Sequence, residues 1–151
     1  MKAYTLGYEG LTLPAYISAL KSFGVGVVLD VREKAWSRKP GFSKTALQQA
    51  LCEAGIEYIH IPSAGNPSIN RKTAKSTAEC LRRYSKFLKA NPACLDELMA
   101  HIKHAAKKGR PACMTCYEHL PVDCHRSVLI EALLPLVPKL KFTHLPSSTT
   151  T

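Results

Sequence analysis

Cys113, Cys116, Glu118, Cys124, His125 and Arg126 fall within one short stretch and carry the densest chemistry of the chain. Thiols offer nucleophilic, redox or metal-binding chemistry, a carboxylate and an imidazole can move protons, and a guanidinium presents a fixed fork to an anion. Three readings compete for the cysteines. A zinc site has the right ligand types in Cys-x2-Cys followed by Cys-His, but an extended Cys113–Cys116 segment points its two sulfurs to opposite sheet faces, so no metal site is expected from that spacing. A thiol reading makes Cys124 a nucleophile whose pKa is lowered beside Arg126. A structural reading packs Cys116 and Cys124 under a pocket whose anion is held by Arg126 and Arg32. The structural reading is the minimum, with Asp30, Glu118, Cys124 or His125 added as groups for acid, base or nucleophilic work.

These residues need a strand, a loop and a helix to position them. Ala112–Cys116 reads as a short buried strand, 117–123 as a Pro-containing loop, and 125–134 as a helix with Val128, Leu129, Ala132 and Leu133 at helical spacing. Asp123 is expected to cap that helix, placing Cys124, His125 and Arg126 in a first turn whose N–H groups and dipole favour an anion.

Further groups come from the rest of the chain. A first strand ends in Gly7-Tyr8-Glu9-Gly10, a turn that lets a ligand approach the backbone. Thr12, Pro14 and Gly24 delimit a helix, and Val25–Val31, a near-continuous β-branched run, reads as a central parallel strand. Asp30 and Arg32 share a face at its end. The loop from Lys34 to Lys44 interleaves Trp36 and Phe42 with Arg38 and Lys39, a mixture suited to bases and phosphates as well as to an ordinary hydrophobic cover. A helix from Ser43 to Ala54, a third strand at 57–61, a lid-like loop at 62–72, helices over 73–88 and 92–107 and a last strand at 141–145 complete the pattern.

Alternating strand and helix signals predict an α/β fold: a mainly parallel, Rossmann-like sheet of about five strands with helices on both faces. With the usual 3-2-1-4-5 order, the polar clusters gather at the C-terminal strand edge, with the switch point between the first and fourth strands. The 151 residues suit one domain, taken as 1–146 with a flexible tail at 147–151. Six cysteines without a signal peptide suggest a reducing compartment, and the short apolar runs exclude a membrane span, so a cytoplasmic protein is expected. The net charge of +10 favours polyanionic partners, although a solvated basic surface gives the same total.

Thr-Leu-Gly-Tyr-Glu-Gly at 5–10, Val-Leu-Asp-Val-Arg at 28–32, Tyr-Ile-His-Ile-Pro at 58–62, Gly-Asn-Pro at 65–67 and Cys-His-Arg-Ser at 124–127 together resemble the domain-of-unknown-function family 488 over nearly the whole chain. The resemblance implies a compact α/β domain. It also implies a site at Gly7, Tyr8, Asp30, Arg32, Cys116, Glu118, Cys124, His125 and Arg126, but no particular reaction.

Two function classes follow. One is an enzyme acting on a phosphate-bearing or nucleotide-like substrate. In it Asp30, Glu118, Cys124 and His125 do the chemistry, while Gly7, Tyr8, Glu9, Arg32, Arg38, Cys116 and Arg126 bind the substrate. The other is a non-catalytic nucleic-acid-binding module using the basic loops. Convergence of Arg32, Arg38 and Arg126 with Asp30 and Glu118 in one concavity favours the enzyme, because carboxylates in a nucleic-acid groove repel phosphate. No motif names a cofactor or an oligomeric state.

Overall fold

A computed structural model describes residues 1–146, so the tail expected at 147–151 lies outside the described residues. Five strands form one sheet: β1 (Lys2–Gly7), β2 (Val27–Asp30), β3 (Glu57–His60), β4 (Ala112–Cys116) and β5 (Lys141–His144). All pairings are parallel, which establishes the expected α/β class. The order is β3-β2-β4-β1-β5, not 3-2-1-4-5. β4 therefore lies between β2 and β1, with Thr115 opposite both Leu6 and Asp30. The physical reason is burial: all five β4 residues are buried and take the central position, whereas β1 leaves Lys2 exposed and Tyr4 half-buried and lies one place further out.

Among the described residues six α-helices accompany the sheet. α1 (Leu13–Ser22) starts at Thr12, whose side chain accepts from Ala15 N–H, and carries Pro14 in its first turn. α1 and α2 (Lys44–Glu53) cover one face, where Tyr16, Leu20, Leu47 and Leu51 pack on Leu6, Val28 and Cys113. On the other face α4 (Thr77–Ala90), α5 (Ala93–Lys107) and α6 (Arg126–Leu133) pack Tyr84, Leu98, Ile102 and Leu129 on Val27, Leu29, Met114 and Cys116. Period-two alternation along β4 thus divides its thiols, with Cys113 in one core and Cys116 in the other.

The segment expected as a lid at 62–72 is built wall. It comprises a 3₁₀ turn (Pro62–Ala64) and α3 (Ser68–Thr73), tied down by Tyr84 Oη donating to the Ala64 carbonyl and by Ser68 N–H donating to Glu33. The Asp123 cap does not form either. Pro121 opens a 3₁₀ turn that absorbs Asp123, so α6 begins only at Arg126 with His125 as its cap residue. Among the described residues no helix is long and apolar enough to cross a membrane.

Candidate functional site

Beyond the C-terminal strand ends lies a cavity of about 840 Å³, walled by the segments that follow β1, β2 and β4 and by α3 with the start of α4. Parallel sheets open such a crevice where neighbouring strands send their connections to opposite faces. Here both β1 and β2 lead to the α1/α2 face and β4 leads to the other, so β4 is flanked by a crevice on each side. Two polar clusters close the sheet edge beneath the cavity, one on each face.

On the α1/α2 face Asp30 is fully buried. Its Oδ1 accepts from Arg32 N–H at 3.2 Å and Nε at 2.9 Å, and its Oδ2 accepts from Arg32 Nη2 at 2.7 Å and Tyr58 Oη at 2.5 Å. Arg32 Nη1 donates in addition to Tyr8 Oη at 3.1 Å and the Phe42 carbonyl at 2.7 Å. Burial alone would lower the Arg32 pKa, but Asp30 outweighs it and holds the guanidinium firmly charged. Burial and the Asp30 charge both push the Tyr58 phenol up. Four protein donors take up the Asp30 carboxylate, so Asp30 has no lone pair to spend on a substrate. It does not line the cavity, and on that ground the structure gives it no place as an acid or base.

On the opposite face Cys116, Cys124 and His125 converge. His125 Nδ1 lies 3.7 Å from Cys116 Sγ and 3.6 Å from Cys124 Sγ, and its Nε2 lies 2.7 Å from the Val31 carbonyl. A carbonyl only accepts, so Nε2 carries the hydrogen and Nδ1 turns its lone pair to the sulfurs when the ring is neutral. Arg126 donates to Cys124 Sγ from its backbone N–H at 3.5 Å and from Nε at 3.3 Å. The Cys116 thiol donates to Glu118 Oε2 at 3.1 Å.

Burial would raise the Cys124 thiol, but hydrogen bonds from Cys116 and His125, with the charges of His125 and Arg126, bring it well below the usual range. Its hydrogen bond with Cys124, with burial second, pushes Cys116 well up. Burial, then the Cys124 charge, raises Glu118.

The expected site residues are thus sorted by position. Tyr8, Arg32, Arg38, Cys116, Glu118 and His125 line the cavity, and Cys124 sits directly beneath it. Arg126 is only 1% exposed and does not reach the cavity, because its Nη2 donates to the Glu118 carbonyl while Nε holds Cys124. It therefore positions the loop and the thiol and offers no fork to a ligand. Gly7 is required for packing: a Cβ there would lie 1.8 Å from the Glu118 carbonyl oxygen. Glu9 accepts from His119 N–H at 3.2 Å and fastens the same loop from outside the cavity.

The walls add residues that sequence reasoning did not name as a site. Lys34, Arg71 and Lys75 join Arg32, Arg38 and Lys39 in the lining, against the carboxylates of Glu118 and Asp123. Trp36, 65% exposed, stands among them. Arg71 and Lys75 belong to a basic run whose only signal in the sequence was its charge.

Residues 12–133 match the family model described as "Domain of unknown function DUF488". No curated protein and no solved structure matches the chain.

Proposed function

We propose, from the premise that the chain belongs to the DUF488 family, that it is an enzyme acting on a phosphate-bearing, nucleotide-like substrate. The observation that carries this reading is the joining of two environments in one cavity. Six cationic side chains, Arg32, Lys34, Arg38, Lys39, Arg71 and Lys75, share it with a floor of Cys116, Glu118 and His125. Cations held over a concave, low-dielectric surface concentrate anionic ligands. The exposed Trp36 indole offers a face for a base to stack on. Of the cations, Lys39 is partly spent on the Tyr8 carbonyl at 2.9 Å and Arg32 is held by Asp30, so Lys34, Arg38, Arg71 and Lys75 are the groups assigned to phosphate. We assign Glu118, with its thiol and imidazole neighbours, to the reacting end. An extended nucleic-acid groove is the weaker reading, because Glu118 and Asp123 sit in the concavity and would repel a phosphate backbone.

Trp36 is the sole tryptophan and reports directly on this cavity. ATP added at low salt should quench its fluorescence saturably, adenosine should not, and inorganic tripolyphosphate should displace ATP. Replacing both Arg38 and Arg71 by Ala should weaken ATP by about 1.5–3 kcal/mol, the scale of hydrogen bonds to charged groups. No quenching by ATP at low salt, or equal affinity in the double variant, would sink the reading.

A further inference from the structure

We infer that Cys116, Cys124 and His125 form a zinc site, a three-ligand site whose fourth position opens toward the cavity. Among the described residues these groups place their ligand atoms within 4.8 Å of one another, and all three are buried. The two sulfur–nitrogen separations fit a shared ion. Zinc bonds of about 2.3 Å to sulfur and about 2.0 Å to nitrogen, at tetrahedral angles, set sulfur and nitrogen about 3.5–3.6 Å apart. His125 Nδ1 lies 3.7 Å and 3.6 Å from the two sulfurs. A hydrogen bond would draw the single Nδ1 lone pair to one thiol, yet the ring stands nearly equidistant from both, as ligands around a common centre do.

The surroundings have the character of a shell that orients metal ligands. The far nitrogen of His125 is fixed by the Val31 carbonyl at 2.7 Å, the usual device that sets tautomer and ring angle for a ligating imidazole. Cys124 Sγ receives N–H donors from the Arg126 backbone and side chain, which stabilise a thiolate without occupying the cavity side. On zinc binding Cys116 releases to solvent the proton it donates to Glu118, and two thiolates and a neutral imidazole then balance the two charges of zinc, leaving the Arg126 and Glu118 charges to cancel in sum. Glu118 approaches Cys116 but does not join the mutually close trio, so it is assigned no bond to the metal. Cys116 and His125 line the cavity and Cys124 does not, which leaves the cavity side for the fourth ligand. Cys113, the other half of the Cys-x2-Cys spacing, packs with Tyr16 and Leu20 across the sheet and takes no part. Three protein ligands with an open position are the arrangement of catalytic zinc, not of closed structural sites.

The experiment uses untagged full-length protein, reduced, loaded with zinc chloride, desalted and assayed for metal by mass spectrometry. One equivalent of zinc per chain is expected, with loss of that equivalent in Cys124→Ser and His125→Ala and its retention in Cys52→Ser, whose cysteine is exposed and distant from the site. No bound zinc in the reduced wild type, or one equivalent persisting in Cys124→Ser, overturns the inference. If the variants do not fold, cobalt added to the wild type decides. Thiolate-to-cobalt charge transfer with intense tetrahedral bands supports the site, and a weak octahedral spectrum without charge transfer overturns it. The inference stands apart from the anion reading. ATP quenching of Trp36 without zinc binding would remove the metal alone, and zinc binding without quenching would remove the nucleotide alone.

Discussion

The two clusters beneath the cavity stand about the same strand ends yet differ in kind. On the α1/α2 face Asp30 and Arg32 form a bidentate pair whose remaining atoms are taken by Tyr8, Tyr58 and Phe42. On the other face an imidazole lies 3.6–3.7 Å from two thiols, with Arg126 turned to a carbonyl and a sulfur and, among the described residues, forming no ion pair with a carboxylate. The first is closed around its carboxylate, since the four hydrogen bonds that Asp30 accepts leave it no lone pair for a ligand. The second is a set of soft donors whose contacts with each other are long and weak. A satisfied buried network specifies a fold, and a cluster of nucleophilic or ligating atoms at a cavity floor is where chemistry has room. The contrast sets the order of expected effects.

The largest is chemical. Cys113, buried on the closed face, has its thiol pushed up to about 12 by burial, against the opposing charge of Arg126. At pH 8 such a thiol is ionised only to about one part in ten thousand, so native Cys113 should resist iodoacetamide while exposed Cys52 is alkylated at once. The sign for stability is fixed by the same shift. The native state gives up no proton there below about pH 9, and this contribution to stability is lost as pH rises from about 9 toward 12, where the unfolded chain ionises first. Peptide mapping of labelled native protein checks the first point, and rapid native labelling of Cys113 would show that the face is not closed.

Next comes Asp30→Ala, which strands the buried Arg32 guanidinium. It should cost about 3–5 kcal/mol, the scale for removing one partner of a buried pair, as read from urea unfolding. The smallest is Arg126→Ala. It leaves the Glu118 carbonyl without its donor and the Cys124 sulfur with only the backbone N–H of residue 126, and should cost about 1–3 kcal/mol in the same assay. A loss from Arg126→Ala equal to that from Asp30→Ala would abolish the contrast, since the fold would then depend on Arg126 no less than on the Asp30–Arg32 pair. A neutral Asp30→Ala would abolish it from the other side.

Local pattern was enough for much of this molecule. The β-branched run at 25–31, within which β2 forms, Thr12 and Pro14 at a helix start, and the alternation along 112–116 set the α/β class and sent Cys113 and Cys116 to opposite faces. These features depend on period and capping, which are properties of neighbouring residues. Strand order was not so determined. Placing β4 between β2 and β1 depends on which strand is buried most completely against both helical layers, a comparison made across the whole chain. The site shows the same division. Sequence identified Cys116, Glu118, Cys124, His125 and Arg32 as residue types, but the burial of Asp30 and Arg126, the recruitment of Arg71 and Lys75, and the seating of one imidazole between two sulfurs came only with the tertiary fold. A residue's type fixes what chemistry it can do. Whether its atoms are satisfied by neighbours or left for a ligand depends on what distant segments bring within about 3 Å.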